Sequence, residues 1–144
     1  MKKIADIFKR KGTLNIIITP DEPVLNALKV MAERNIGSVV VMQEGKYMGL
    51  ITERDYARKV ILHGKNSSEL TVGEIMSEYL PKVSLESTIE DCMEIMTNHN
   101  IRYLPVFEKD EFIGVVSIID VVKETIFIQK NTIQDLQNYI NFAG

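Results

Sequence analysis

Two aspartates in this chain stand in the same local setting. Asp55 closes the stretch Gly49-Leu50-Ile51-Thr52-Glu53-Arg54-Asp55, and Asp120 closes Gly114-Val115-Val116-Ser117-Ile118-Ile119-Asp120, 65 positions further on. Each stretch has a glycine, aliphatics, a hydroxyl residue, two variable residues and the acid. An aliphatic run leading into Ser/Thr-x-x-Asp reads as a strand entering the N-terminus of a helix, with Thr52 and Ser117 as N-caps. The first turn of a helix carries amides without intrahelical partners and the positive end of the dipole, which suits phosphate. A carboxylate there can accept hydrogen bonds from the vicinal hydroxyls of a ribose, as the acidic residue of dinucleotide folds does. The same spacing is also a capping box that only starts a helix. The two roles are compatible, because Thr52 can cap while Asp55 faces a ligand, and duplication in register favours the ligand.

The elements that position these residues repeat as well. Asn15–Val60 aligns without a gap with the segment ending at Thr125: Ile18-Thr19 falls on Val83-Ser84, Met31 on Met96, Asn35-Ile36 on Asn100-Ile101 and Val41 on Val106. Self-similarity at a fixed offset indicates two copies of one structural unit. Each copy reads as β-α-β-β-α, a mixed α+β fold. A short extended piece (Ile16–Thr19, Lys82–Ser84) precedes a helix. The helix face is Val24, Leu28 and Met31 with Leu25 and Ala32 in the first copy, and Ile89, Cys92, Met93 and Met96 in the second. Pro23 suits a first-turn position, and Ser87 with Glu90 reads as a capping box. A hairpin follows, Ser38–Met42 with Tyr47–Ile51 or Tyr103–Phe107 with Phe112–Val116. Second helices are expected at about Glu53–Leu62 and Ile118–Gln129.

The join His63–Leu70 is polar and reads as a loop. After it, Val72–Met76 matches Ile4–Phe8, now 68 positions apart. The chain therefore divides into a first repeat with its short helix (1–65), a second repeat (66–129) and a C-terminal amphipathic helix (130–144). In that last helix Thr132 is the expected N-cap, and Ile133, Leu136, Tyr139 and Ile140 form a stripe that must bury against the module or a second subunit.

Composition excludes several classes. The 144 residues are 45% hydrophobic with a net charge of −3, enough for a packed core and unfavourable for nucleic acid, whose backbone needs clustered positive charge. No apolar run reaches membrane-span length, and the opening MKKIADIFKRKG has no signal-peptide core, so a cytoplasmic protein is expected. The single cysteine, Cys92, allows no intrachain disulfide and reads as a buried small hydrophobe. His63 and His99 are isolated. No nucleophile–base pair, metal-ligand spacing or glycine-rich nucleotide loop is present, so no enzyme and no metal are expected.

The tandem motif, the run ITERDYARKVILHGKNSSELTVGEIM, and IRYLPV at Ile101–Val106 resemble the cystathionine β-synthase (CBS) domain pair, in the form seen in small stand-alone bacterial proteins. The resemblance covers residues 1–129. It implies a pseudo-twofold module with two clefts between the repeats, binding adenosine-containing ligands: AMP foremost, or ADP, ATP, NAD(H) or S-adenosylmethionine. It also implies a disc-like homodimer that senses energy or redox state and acts on an unidentified regulated protein, with no catalysis. Carried over by motif, Asp55 and Asp120 bind ribose, and Thr52 and Ser117 contact ribose or phosphate. Ile18, Thr19, Val83 and Ser84 line the adenine slots, helped by Ile36, Gly37 and Ser38 and by Ile101, Arg102, Tyr103 and Pro105. The copies differ in charge: Glu53, Arg54 and Arg58 stand against Ile118, Ile119 and Lys123, and Arg102 against Gly37. Arg54, Arg58 and Arg102 are the expected phosphate contacts, since guanidinium binds phosphate through two bonds at once; solvated surface charge or a dimer contact is the other reading. The clefts are expected to be inequivalent. Ile118 and Ile119 would be core or a dimer face, and the resemblance favours the dimer face. The competing function is a ligand-free structural or partner-binding scaffold.

Overall fold

Short β-branched runs separated by tight turns build the centre of each repeat. The computed structural model describes residues 2–143. After α1 (Ile4–Lys11), the first repeat contains β1 (Ile17–Ile18), α2 (Val24–Arg34), β2 (Ser38–Gln43), β3 (Lys46–Thr52) and α3 (Glu53–Lys59). A single 3-10 turn, Ile61–His63, and the short α4 (Val72–Ile75) lead to the second repeat, with α5 (Ile89–His99), β4 (Tyr103–Glu108), β5 (Glu111–Ser117) and α6 (Ile118–Ala143).

β1 runs parallel to β2, and β2 is antiparallel to β3, with Ser38 opposite Thr52 and Gln43 opposite Lys46. Glu44 and Gly45 both take positive φ (51° and 76°) at the hairpin tip, the backbone a two-residue turn needs to match strand twist. The second hairpin, β4–β5, has the same register from Tyr103–Ser117 to Glu108–Glu111. Both hairpins shift register at equivalent points, Val41/Met42 and Val106/Phe107. The counterpart of β1 is reduced to one parallel bridge, Val83 to Val106.

Each short helix packs into the other repeat. Ile4, Ile7 and Phe8 of α1 lie in the core with Ile89, Cys92, Met96, Leu104 and Val116. Val72 and Ile75 of α4 lie in the core with Val24, Met31, Val39, Val41 and Ile51. Backbone bonds hold the exchange: the Ile4 and Ala5 amides donate to the Ser87 and Leu85 carbonyls, and the Val72 and Gly73 amides to those of Glu22 and Pro20. The boundary at 65/66 along the chain is therefore not the boundary between the two cores. Full burial of each large aliphatic is worth about 1.5–3 kcal/mol. Tyr47 stacks on Phe112, its counterpart 65 positions on, with ring centroids 4.8 Å apart. The two sheets meet at that pair of equivalent residues.

Four local expectations are corrected. The cap of α5 is Thr88 with Asp91, not Ser87 with Glu90; Ser87 instead accepts from the Ser84 amide through its hydroxyl. Pro23 is the N-cap of α2, one residue before its first turn. The buried α2 face uses Ala27, while Ala32 is exposed. No separate helix starts at Thr132: α6 is continuous for 26 residues, and the Thr132 hydroxyl donates to the Ile128 carbonyl one turn back. With no Gly or Pro after Ile118 until the last residue, low-propensity residues such as Asn131 and Thr132 do not stop a helix. Among the described residues, no helix is long and apolar enough to cross a membrane.

Candidate functional site

β3 delivers Thr52 to the first turn of α3, and the Ser/Thr-x-x-Asp spacing closes there as a reciprocal cap. The Asp55 amide donates to Thr52 Oγ1 at 3.0 Å, and the Thr52 amide donates to Asp55 Oδ2 at 3.0 Å. The other carboxylate oxygen, Oδ1, accepts from the Ser77 hydroxyl at 2.8 Å and lies 3.0 Å from Lys59 Nζ. Asp55 is buried. The amide of Glu53, the first residue of α3, donates to the Gly37 carbonyl, and that of Ile118, its counterpart at the start of α6, donates to the Arg102 carbonyl.

A cleft of about 720 Å³ opens beside Asp55, between the start of α3 and the segment entering β4. One wall carries Thr52, Arg54, Asp55 and Arg58, and the facing wall carries Ile101, Arg102 and Tyr103, with Gly37 at the edge. The Arg54 guanidinium donates to the Asn100 carbonyl and so ties the first repeat to the second. Gly37 leaves room for the Tyr103 hydroxyl, which would have to move to admit a Cβ at that position. Burial pushes the Tyr103 phenol above its usual pKa; the Glu53 carboxylate adds to the rise and Arg102 opposes it. Arg54, Arg58, Lys59 and Arg102 bring four cations to the cleft, against the carboxylates of Glu53 and Asp55. The volume falls within the range of small-molecule sites, and the charge excess suits an anion.

The structure thus brings Gly37, Thr52, Arg54, Asp55, Arg58, Ile101, Arg102 and Tyr103 together. The other residues singled out in the sequence lie elsewhere. Ile18 and Val83 are core residues, and Ile36 packs against the first core. The Thr19 hydroxyl donates to Asp21 at 2.6 Å, and the Ser84 amide donates to Ser87. Ser38 is paired with Thr52 in the sheet, and Pro105 is buried in β4, where its carbonyl accepts from the Val83 amide. Ser117 and Asp120 form their own reciprocal cap, and Lys11 Nζ lies 2.8 Å from Asp120 Oδ2.

Lys59, Ser77, Leu80 and Asn100 also line the cleft without having been singled out. Lys59 had a usable signal, being four residues after Asp55 on the same helix face. Ser77 and Leu80 come from the segment after α4, and no local pattern places that segment against Asp55.

The CBS domain family matches residues 3–62 and 72–126 of this chain. The mitochondrial CBS domain-containing protein CBSX3 of Arabidopsis thaliana is 38% identical, over 95% of this chain and 71% of its own length. The solved structure of the CBS domain NE2398 is 40% identical with a TM-score of 0.82, over 87% of this chain and 98% of that one. The CBS-domain containing protein ATU1752 from Agrobacterium tumefaciens is 33% identical with a TM-score of 0.81, over 86% of this chain and 99% of that one.

Proposed function

Because this chain belongs to the CBS domain family, as a tandem pair, we propose that it is a cytoplasmic regulatory module that binds an adenosine-containing anion, AMP foremost, in the Asp55 cleft. The observation that carries this reading is the excess of cations beside a Ser/Thr-x-x-Asp cap within one cleft. The ribose hydroxyls would take over the Asp55 Oδ1 position now served by Ser77 and Lys59. Arg58 and Arg102, both exposed at the cleft wall, would reach the phosphate, and Ile101, Leu80 and Tyr103 would flank the adenine. ATP, ADP, NADH and S-adenosylmethionine are the alternatives to AMP that the same walls could admit.

A ligand lying between the repeats would act by preferring one relative arrangement of them, and it could shift that equilibrium only by its difference in affinity for the two arrangements. Two copies would associate as a disc-like homodimer, and the shift would be read by a regulated protein. No catalysis is proposed: the Asp55 carboxylate accepts from the hydroxyls of Thr52 and Ser77 and is itself held by the Thr52 amide and Lys59, which is the pattern of a helix cap tied to its surroundings.

One observation favours the scaffold reading. Both Asp55 oxygens already have partners within the protein, so the cleft is satisfied when empty. Titration with AMP, ATP, NADH and S-adenosylmethionine separates the two. Binding of at least one, weakened by Arg102→Ala, supports the sensor; failure of all four at millimolar concentration supports the scaffold.

A further inference from the structure

The cleft is polarised along α3. The first turn of the helix carries Glu53 and Asp55, its last turn Arg58 and Lys59, and all four line the cleft. The two acids differ. Asp55 is buried and held by Thr52, Ser77 and Lys59. Glu53 is exposed and has no ion-pair partner among the described residues. Its backbone amide is spent on the Gly37 carbonyl, so this helix start does not offer that donor to a phosphate. The space over Gly37 gathers two side chains from opposite repeats. A Cβ placed there would meet the Tyr103 hydroxyl and would lie 3.7 Å from the Glu53 carboxyl carbon. Burial first, and the Glu53 carboxylate second, hold the Tyr103 phenol in its protonated, donating form. A phosphate is repelled by Glu53 and drawn to Arg58 and Lys59. The Glu53 corner therefore suits the uncharged, N–H-bearing end of a ligand.

We propose that Glu53 and Tyr103 read the edge of the purine and select a 6-amino base over a 6-oxo base. The inference rests on the nucleotide reading of this cleft. Adenine presents an amino donor beside the N1 acceptor: the Glu53 carboxylate accepts from the amino group and the Tyr103 hydroxyl donates to N1. Hypoxanthine presents a carbonyl and an N1–H in that order. Its carbonyl lone pairs then face the carboxylate, and its N–H finds no acceptor. A site built to hydrogen-bond a group rejects the analogue that lacks it, because its own polar atoms are left unpaired. The open side of the Glu53 corner reduces that penalty without removing it. The second repeat lacks this device. Ile118 stands where Glu53 does, Ser38 where Tyr103 does, and Arg102 where Gly37 does, so the equivalent corner has no carboxylate to accept from an amino group.

Calorimetry on the full chain with AMP, IMP and GMP tests it. The native chain should bind AMP at least about tenfold more tightly than IMP. Glu53→Gln, whose amide turns either oxygen or nitrogen to the base, should bring the two within about threefold, chiefly by improving IMP. Tyr103→Phe keeps the ring and loses the bond to N1, and should weaken AMP about 3- to 10-fold. Adenosine and inosine should show the same preference as their monophosphates, and Arg102→Ala should weaken AMP and IMP equally, which places the discrimination at the base. Equal native affinities for AMP and IMP, tighter binding of GMP than AMP, or a ratio unchanged in Glu53→Gln overturns this inference alone and leaves nucleotide binding standing. Failure of all three nucleotides to bind overturns it together with the nucleotide reading of the cleft.

Discussion

Lys59 Nζ lies 3.0 Å from Asp55 Oδ1, and the residue that occupies its place in the second repeat is Glu124, buried and held by Arg10. One site on the helix thus carries opposite charges in the two copies. In the first repeat the cation joins Arg54, Arg58 and Arg102 at the cleft. In the second the anion is turned under α1, and Asp120 takes its cation from Lys11 instead. The repeats share a backbone and differ in what their charges face.

Removing a phosphate contact should separate AMP from adenosine. A hydrogen bond to a charged group is worth about 1.5–3 kcal/mol, so Arg102→Ala should weaken AMP binding about 10- to 100-fold while adenosine is nearly unaffected. Calorimetry with the two ligands reads the difference; an equal loss for both would place Arg102 at the base or ribose instead.

Arg10→Ala should destabilise the fold. It leaves the Glu124 carboxylate buried without its partner and removes the guanidinium from the face of Phe127. Breaking a buried pair from one side costs 3–5 kcal/mol, and the partial exposure of Arg10 reduces this to about 2–3 kcal/mol. Urea unfolding checks the value, and Glu124→Gln in the same background should recover most of the loss.

Tyr47→Phe should be neutral or stabilising by up to about 1 kcal/mol, because the Tyr47 hydroxyl is buried without a partner among the described residues and removal of such a group relieves its desolvation. Burial pushes this phenol up to about 12. A folded pKa above the unfolded value of 10 means that the stability tied to Tyr47 is fully present below pH 10 and is lost as pH rises towards 12. Melting temperature followed into alkali should fall less steeply for the Tyr47→Phe protein.

Burial, and secondarily the Asp91 carboxylate, push the Cys92 thiol up to about 11. At neutral pH the thiolate is therefore scarce as well as enclosed. A thiol reagent should find no reactive group in the native protein and one per chain after unfolding. Rapid native labelling would mean that α5 opens.

The fold was legible because its signals were local and duplicated. The aliphatic runs and the caps at Thr52 and Ser117 can be read from neighbouring residues, whereas the left-handed helix ends at Asn35 and Asn100, both with φ 53°, emerged only in the structure. One wall of the site was legible for the same reason, since Thr52, Arg54, Asp55 and Arg58 come from one strand end and one helix, and the resemblance supplied Gly37, Ile101, Arg102 and Tyr103. Ser77 and Leu80 were not, since a connecting segment brings them in from far along the chain. The exchange of α1 and α4 between cores was also hidden, because an amphipathic helix states that it packs but not where. The single α6 was missed because Asn131 and Thr132 carry a start signal that the helix passes through.

The measurement that tests the cleft most directly is calorimetric titration of AMP into the native chain, Asp55→Ala and Asp120→Ala. The account predicts one AMP per chain, lost in Asp55→Ala and retained in Asp120→Ala. No binding to the native chain, or loss only in Asp120→Ala, would contradict it.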